Sequence, residues 1–210
     1  MDQLKTGTTT IGIMCKDGIV LAADKRATSG YLIAWKKFEK IMQITDNIAT
    51  TVAGGVSDVQ LLYKYIKAEI KLKDIRTGRE TSVKEAANLL ANFVFNNIRR
   101  YSIIPGITHF VLGGKDGTGF HLYDISPDGS IVEIDDYISS GSGSVMAFGV
   151  LETLYKKGLS VDEGVKLAAK GVNAAVQRDA ASGNGVDIFT ITKDGVKKVF
   201  SKEIDYKIEV

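Results

Sequence analysis

Gly7-Thr8-Thr9-Thr10 stands where a polar leader, Met1-Asp2-Gln3-Leu4-Lys5-Thr6, meets an apolar stretch, Ile11-Gly12-Ile13-Met14-Cys15. A cut after Gly7 would free Thr8, and a threonine at a free N-terminus carries its own base. Its α-amine has an ordinary pKa of about 7.7–8.0, so it is partly unprotonated at neutral pH and sits beside the hydroxyl. A threonine hydroxyl paired with an N-terminal amine is an activated nucleophile for acyl transfer. Gly7 suits the bond to be cut. Without a side chain, the backbone can bend until the hydroxyl reaches the Gly7 carbonyl carbon. The plain alternative is a strand that opens on β-branched residues.

Other residue types along the chain could serve that nucleophile. Lys40, at the head of Lys40-Ile41-Met42-Gln43-Ile44, could place a buried ammonium beside the Thr8 hydroxyl and favour its alkoxide. A buried lysine needs a carboxylate partner or it loses its proton. Asp24, closing the apolar run Ile19 to Asp24, is the candidate. Alternatively, Lys40 is a solvated neighbour of Lys36 and Lys37, and Asp24 a strand-end acid paired with Lys25 or Arg26. Gly54-Gly55, between a strand and a helix, is either a turn or an oxyanion hole with unobstructed N–H groups near a helix N-terminus. Ser140-Gly141-Ser142-Gly143-Ser144 looks like a phosphate loop, but Met146 stands where G-x-G-x-x-G requires glycine. It reads instead as a polar turn presenting Ser142. Asp179-Ala180-Ala181-Ser182-Gly183 either punctuates a helix end or turns Asp179 and Ser182 toward the Thr8 amine and hydroxyl.

Bulk composition narrows the classes. Lys plus Arg number 27 against 25 Asp plus Glu, a net charge of +2, too balanced to call for nucleic acid or an anionic membrane surface. Cys15 is the sole cysteine, so no internal disulfide or cysteine-based metal site can form. His109 and His121, the only histidines, lie in strand-like apolar stretches and read as structural. The first residues contain no apolar run of a secretory signal, and no 18-residue apolar run occurs. A cytoplasmic protein is the expectation. With 210 residues, two prolines (Pro105 and Pro127), no biased linker and no repeat, one domain is expected.

The elements that must position these residues follow from periodicity. Thr8–Cys15 and Ile19–Asp24 read as a hairpin about Asp17-Gly18. Lys40–Ile44 and Ile48–Ala53 form a second pair. A helix opening at Ser57-Asp58 carries Val59, Leu62, Ile66 and Ile70 on one face. Capping boxes at Ser82–Glu85 and Ser160–Glu163 start two more helices, the latter running to about Asp179 or Ala180. Ile107–Gly113, Gly119–Ile125 and Ile131–Ile138 read as strands, Gly143–Tyr155 as a helix, and Gly185–Thr192 with Val196–Phe200 as a last hairpin. Helices come in consecutive pairs, which disfavours a doubly wound parallel sheet. The order suits an α+β fold of two stacked antiparallel sheets, each covered by a helix pair.

In combination and order, these segments resemble the β subunits of the 20S proteasome, most closely the archaeal type. The resemblance rests on Gly7 with Thr8–Ile13, Gly18–Gly30 (GIVLAADKRATSG), Lys40, Thr51–Gly55 (TVAGG), Gly141–Glu152 and Arg178–Ile188 (RDAASGNGVDI). It implies the N-terminal-nucleophile hydrolase fold, a four-layer αββα sandwich, with residues 1–7 a propeptide removed by self-cleavage between Gly7 and Thr8. Residues 8–210 then form a single catalytic domain. Thr8 matches the nucleophile, Lys40 its activating ammonium, Asp24 that lysine's acid, and Gly54 the oxyanion donor. Ser142, Asp179 and Ser182 match the polar cluster about the amine. Thr28 matches the residue whose backbone pairs with a substrate strand, and Ala27, Phe38, Val52 and Val56 match the specificity pocket. None of those four is charged, so cleavage after hydrophobic residues of unfolded polypeptides is expected. The implied activity is that of a threonine endopeptidase, with no metal or cofactor required. The implied partners are other β subunits in a seven-membered ring, a ring of α subunits and, indirectly, an ATP-dependent unfoldase. Alternatives are a β-type ring subunit that never matures and the simpler bacterial two-ring threonine peptidase.

Overall fold

The structure is a computed structural model and describes residues 7–204. The expected propeptide, apart from Gly7, therefore lies outside the described residues. Twelve strands and four helices occur among those described.

The first sheet has the order β10-β1-β2-β11-β12, from strands β1 (Thr10–Cys15), β2 (Gly18–Asp24), β10 (Tyr137–Ser140), β11 (Gly185–Thr192) and β12 (Gly195–Glu203). The second has the order β5-β6-β7-β8-β9, from β5 (Ile41–Gln43), β6 (Ile48–Gly54), β7 (Thr108–Asp116), β8 (Gly119–Ile125) and β9 (Ile131–Ile134). Both are antiparallel throughout. Period-two alternation sends the side chains of each strand to opposite faces. Ile19, Leu21 and Ala23 of β2 meet Ala49, Val111 and Leu122 between the sheets. The opposite face of the second sheet, with Ile48, Val52, Phe110 and Leu112, packs on α1 (Val56–Thr77) and α2 (Val83–Arg99). The opposite face of the first, with Ile11, Ile13 and Val20, packs on α3 (Ser144–Leu154) and α4 (Val161–Val176). The layers are therefore α, β, β, α, as the order of elements suggested.

Helix starts were legible where side chains make them. Ser82 accepts from the Glu85 amide while the Glu85 carboxylate accepts from the Ser82 amide, and Ser160 with Glu163 repeats the arrangement. These satisfy N–H groups that have no partner inside the helix. By contrast, α1 starts at Val56 behind Gly55, with no side-chain cap.

Several boundaries need correction. Ile131–Ile138 is not one strand. The chain bends at the exposed pair Asp135-Asp136, so β9 joins the second sheet and β10 crosses to the first. Two adjacent acids cannot both follow an in-out alternation beside a core. Regular α4 ends at Val176 rather than near Asp179, although the Asp179 amide still donates to the Ala175 carbonyl. Thr8 and Thr9 precede β1 instead of belonging to it, because the Thr9 amide turns to the Asp24 carboxylate. A short hairpin, β3 (Ala27–Ser29) and β4 (Leu32–Trp35), was not anticipated. Its exposed Tyr31, Leu32 and Trp35 give no buried alternation to read.

The burial pattern ranks two substitutions. Leu90 is fully buried in the α2 face, so Leu90→Ala should cost about 2–5 kcal/mol. Ser82→Ala, which removes one half of a capping box, should cost about 1 kcal/mol. Urea denaturation midpoints of the two variants should differ in that order.

Candidate active site

At one end of the sandwich the chain entering β1 meets the end of β2. Asp24, the last residue of β2, is 1% exposed, and Lys40, just before β5, is 2% exposed. Their side chains form an ion pair with Lys40 Nζ 2.6 Å from Asp24 Oδ1. Lys40 is thus no solvated neighbour of Lys36 and Lys37. Lys25 pairs with Asp187 instead, and Arg26 reaches Asp24 through its backbone amide alone. Three amides complete the carboxylate's shell: Thr9 N to Oδ1 at 2.9 Å, Gly183 N to Oδ2 at 2.9 Å and Arg26 N to Oδ2 at 3.0 Å. With the ammonium, these fill the accepting sites of an ionised carboxylate. Burial pulls the Lys40 ammonium below lysine's ordinary pKa, and Asp24, the foremost opposing influence, only partly offsets that.

Thr8 is 6% exposed, and its hydroxyl donates to the Gly7 carbonyl oxygen at 2.7 Å. The hydroxyl therefore already lies against the peptide group that a cut would open. The Thr8 amide donates to Ser142 Oγ at 3.2 Å, and Ser142 donates to Asp179 Oδ2 at 2.6 Å. Ser182 Oγ donates to the same carboxylate oxygen at 2.6 Å and lies 2.6 Å from Thr9 Oγ1. A continuous polar chain thus runs from the Thr8 nitrogen through Ser142 to Asp179, Ser182 and Thr9.

On the other side of Thr8 lies a small pocket lined by Gly7, Thr8, Ala27, Thr28, Phe38, Lys40, Val52, Ala53, Gly54, Val56 and Val59. The Gly7 amide donates to Thr28 Oγ1 at 3.2 Å, so the residue before Thr8 lies against β3. Gly54 has φ 118°, and a Cβ there would fall 2.2 Å from the Ile107 carbonyl oxygen, so only glycine fits. The Gly55 amide is spent on that same carbonyl at 3.0 Å, which leaves Gly54 as the oxyanion candidate of the pair.

The structure thus brings together every residue singled out from the sequence. Thr8, Lys40 and Gly54 share the pocket with Thr28, Ala27, Phe38, Val52 and Val56, Asp24 stands behind Lys40, and Ser142 bonds the Thr8 nitrogen and links it to Asp179 and, through that carboxylate, to Ser182. Sequence reasoning passed over Thr9, whose amide and hydroxyl join the ion pair to the polar chain. The run of three threonines was a signal, but it read as strand. It also passed over Ala53 and Val59 in the pocket wall. Val59 was legible as one helical turn beyond Val56, though it read as core.

His109 bonds Asp124 at 2.6 Å and His121 bonds Glu133 at 2.8 Å, and neither lines the pocket. Among the described residues, no helix is long and apolar enough to cross a membrane.

The sequence model described as "Proteasome subunit" matches residues 4–191. A protein of Ferroglobus placidus named "Proteasome subunit beta" is 44% identical over 208 residues, covering 99% of this chain and 97% of that protein. Proteins of the same name from Archaeoglobus profundus and Methanobrevibacter smithii are each 43% identical over 204 residues. The alignments cover 97% of this chain and 93% and 96% of those proteins. A threonine, a buried lysine–carboxylate pair and a glycine-walled pocket thus sit in a chain that belongs to the proteasome subunit family.

Proposed function

We propose that this chain is a proteolytic β-type subunit of a proteasome core, a threonine endopeptidase that matures by cutting between Gly7 and Thr8. The observation that carries the reading is the Thr8 hydroxyl, held 2.7 Å from the Gly7 carbonyl oxygen in a pocket shared with buried Lys40. Residues 1–7 act as the propeptide and 8–210 as the catalytic domain.

The chemistry runs as follows. In maturation, Thr8 Oγ1 attacks the Gly7 carbonyl carbon while the Gly54 N–H holds the oxyanion. The C–N bond breaks, the Thr8 nitrogen takes a proton, and Gly7 is left as an ester on the Thr8 oxygen. Water hydrolyses that ester, releasing residues 1–7 as a carboxylic acid and restoring the hydroxyl. Before this cut the Thr8 nitrogen is an amide and not an amine, so a water held by the Ser142–Asp179–Ser182 chain accepts the hydroxyl proton. After it, the Thr8 amine takes that role and later protonates the leaving amine of a substrate. Lys40 stabilises the developing alkoxide in both rounds, and Asp24 keeps its charge in place. Thr28 lines up the substrate backbone beside β3, as Gly7 already does.

Ala27, Phe38, Val52 and Val56 make an apolar pocket wall, to which Ala53 and Val59 add. An apolar pocket admits a charged side chain only with a desolvation cost. Assembly follows the family: a seven-membered β ring stacked on an α ring, in the cytoplasm, fed unfolded chains by an ATP-dependent partner. A protease of broad preference is safe in a cell only when enclosed.

Three results test this reading. Intact mass of the purified wild-type chain should lack residues 1–7, whereas Thr8→Ala should keep them and lose about 10⁶-fold in peptide hydrolysis. A wild-type mass that retains the leader alongside the variant's would instead indicate a structural, unprocessed subunit. Peptides ending in leucine, phenylalanine or tyrosine should be cut at least about tenfold faster than those ending in glutamate or arginine, read from kcat/KM. The charged form of Lys40 is the active one, and burial lowers its pKa. The kcat profile should therefore fall on its alkaline side below lysine's ordinary value of about 10.4. Asp24 raises that pKa, so Asp24→Asn should move the alkaline fall to still lower pH.

A further inference from the structure

We infer that Asn97 is a positioning residue for the Gly54 amide, acting through the loop that joins α2 to β7. The inference rests on the peptidase reading above and adds a residue to it. Asn97 lies in the last turn of α2, outside the pocket. Its side-chain nitrogen has two hydrogens, and each has an acceptor. One goes to the Gly106 carbonyl at 2.9 Å and the other to Asp58 Oδ1 at 3.2 Å. Asp58 belongs to the first turn of α1, the helix that begins directly after Gly54-Gly55. One amide therefore fastens the end of α2, the start of α1 and the loop.

The loop in turn shapes the glycine pair. Ile107, next to Gly106, accepts the Gly55 amide through its carbonyl at 3.0 Å. That same oxygen lies 2.2 Å from where a Gly54 Cβ would stand. The Ile107 carbonyl thus packs directly behind Gly54 and, by accepting the Gly55 amide, fixes the Gly54–Gly55 peptide plane, which adjoins at the Gly54 Cα the peptide that carries the Gly54 N–H. Ile107 itself is 48% exposed, so packing does little to hold it. On its C-terminal side it is held by Thr108, which begins β7 and pairs with Gly54, and on its N-terminal side by the Ile107 amide's own bond to the Pro105 carbonyl at 2.9 Å and the Asn97 bond one residue earlier. The fit at Gly106 is close: a Cβ there would come within 2.3 Å of Asn97 Nδ2. Gly106 is therefore the residue type that lets the strut form.

An oxyanion donor works only if its N–H is aimed before charge develops, and small displacements are costly. Losing the strut should lower binding of the transition state while leaving binding of the ground-state peptide intact. A residue that merely stabilised the fold would disturb both.

The test uses Asn97→Ala and, independently, Gly106→Ala, which expels the Asn97 amide without altering it. Both are made in the full chain and measured in its assembled particle. Each should lower kcat about tenfold or more with KM within about twofold of wild type. A peptide aldehyde, which forms a tetrahedral adduct with Thr8, should lose affinity by the same factor. A product-like peptide acid, bound without a covalent bond, should keep its Kd. Unchanged kcat in both variants overturns the inference, and so does a parallel loss of kcat, aldehyde affinity and peptide-acid affinity. A wild type that cuts no peptide overturns the peptidase reading itself, and this inference falls with it. An active wild type with unaffected variants overturns this inference alone.

Discussion

The arrangement depends on a buried charge pair. Lys40 and Asp24 are almost wholly removed from water, and charges so placed are costly unless paired and hydrogen-bonded. Asp24 meets that demand with donors from separate stretches of chain: Thr9, its own neighbour Arg26, Lys40 and Gly183. The carboxylate therefore does more than neutralise a lysine. It gathers the chain entering β1, the end of β2, the chain entering β5 and the loop before β11 at one point. Removing either partner would leave the other buried without its counter-charge, a penalty typically of about 3–5 kcal/mol. The same demand fixes where Thr8 can lie, because Thr9 is bound to Asp24 and Thr8 is its neighbour.

The layers place that point rather than create it. The sheets pack through small and branched side chains, among them Ala23, Ala49 and Val111. Gly54, the last residue of β6, and Val56, the first of α1, bring an unobstructed backbone and an apolar wall together. The first sheet delivers Thr8 ahead of β1, and Ser142 follows β10, the strand beside β1. The crossing at Asp135-Asp136 thus lets Ser142 meet the Thr8 nitrogen. Had β9 and β10 stayed one strand in the second sheet, Ser142 would have ended away from the Thr8 nitrogen.

Much of this was legible in the residues, for stated reasons. Capping boxes at Ser82 and Ser160 mark helix starts because the side-chain bonds are local. The apolar run after Asp17-Gly18 marks β2 because that strand is buried along its whole length. The β3–β4 hairpin escaped notice because nothing buries its tip, and the end of α4 was misplaced because helical bonding continues past the regular helix to Asp179. The site divided in the same way. Lys40, Asp24 and Thr8 were each ambiguous, and only the fold brings residues 16 apart in sequence into one ion pair. Thr9 was missed because its role is played by an amide and a hydroxyl facing inward, and neither has a periodic signature. Asn97 is a similar case. Its partners are a loop carbonyl and a residue 39 positions away, so no window of sequence contains the interaction.

The proposed chemistry also explains why one residue holds two roles. Before the cut, the Thr8 nitrogen is an amide and donates to Ser142. An amide nitrogen has no basic lone pair, so the efficient base is a product of the first turnover. The chain can therefore perform one slow reaction on itself while its own Gly7 fills the substrate position beside Thr28. Repeated turnover begins only after that segment has left. Occupancy of the pocket by Gly7 and absence of the amine are one condition, removed by one bond cleavage. The order of maturation before substrate hydrolysis is then set by the connectivity of the chain, with no separate inhibitor needed to impose it.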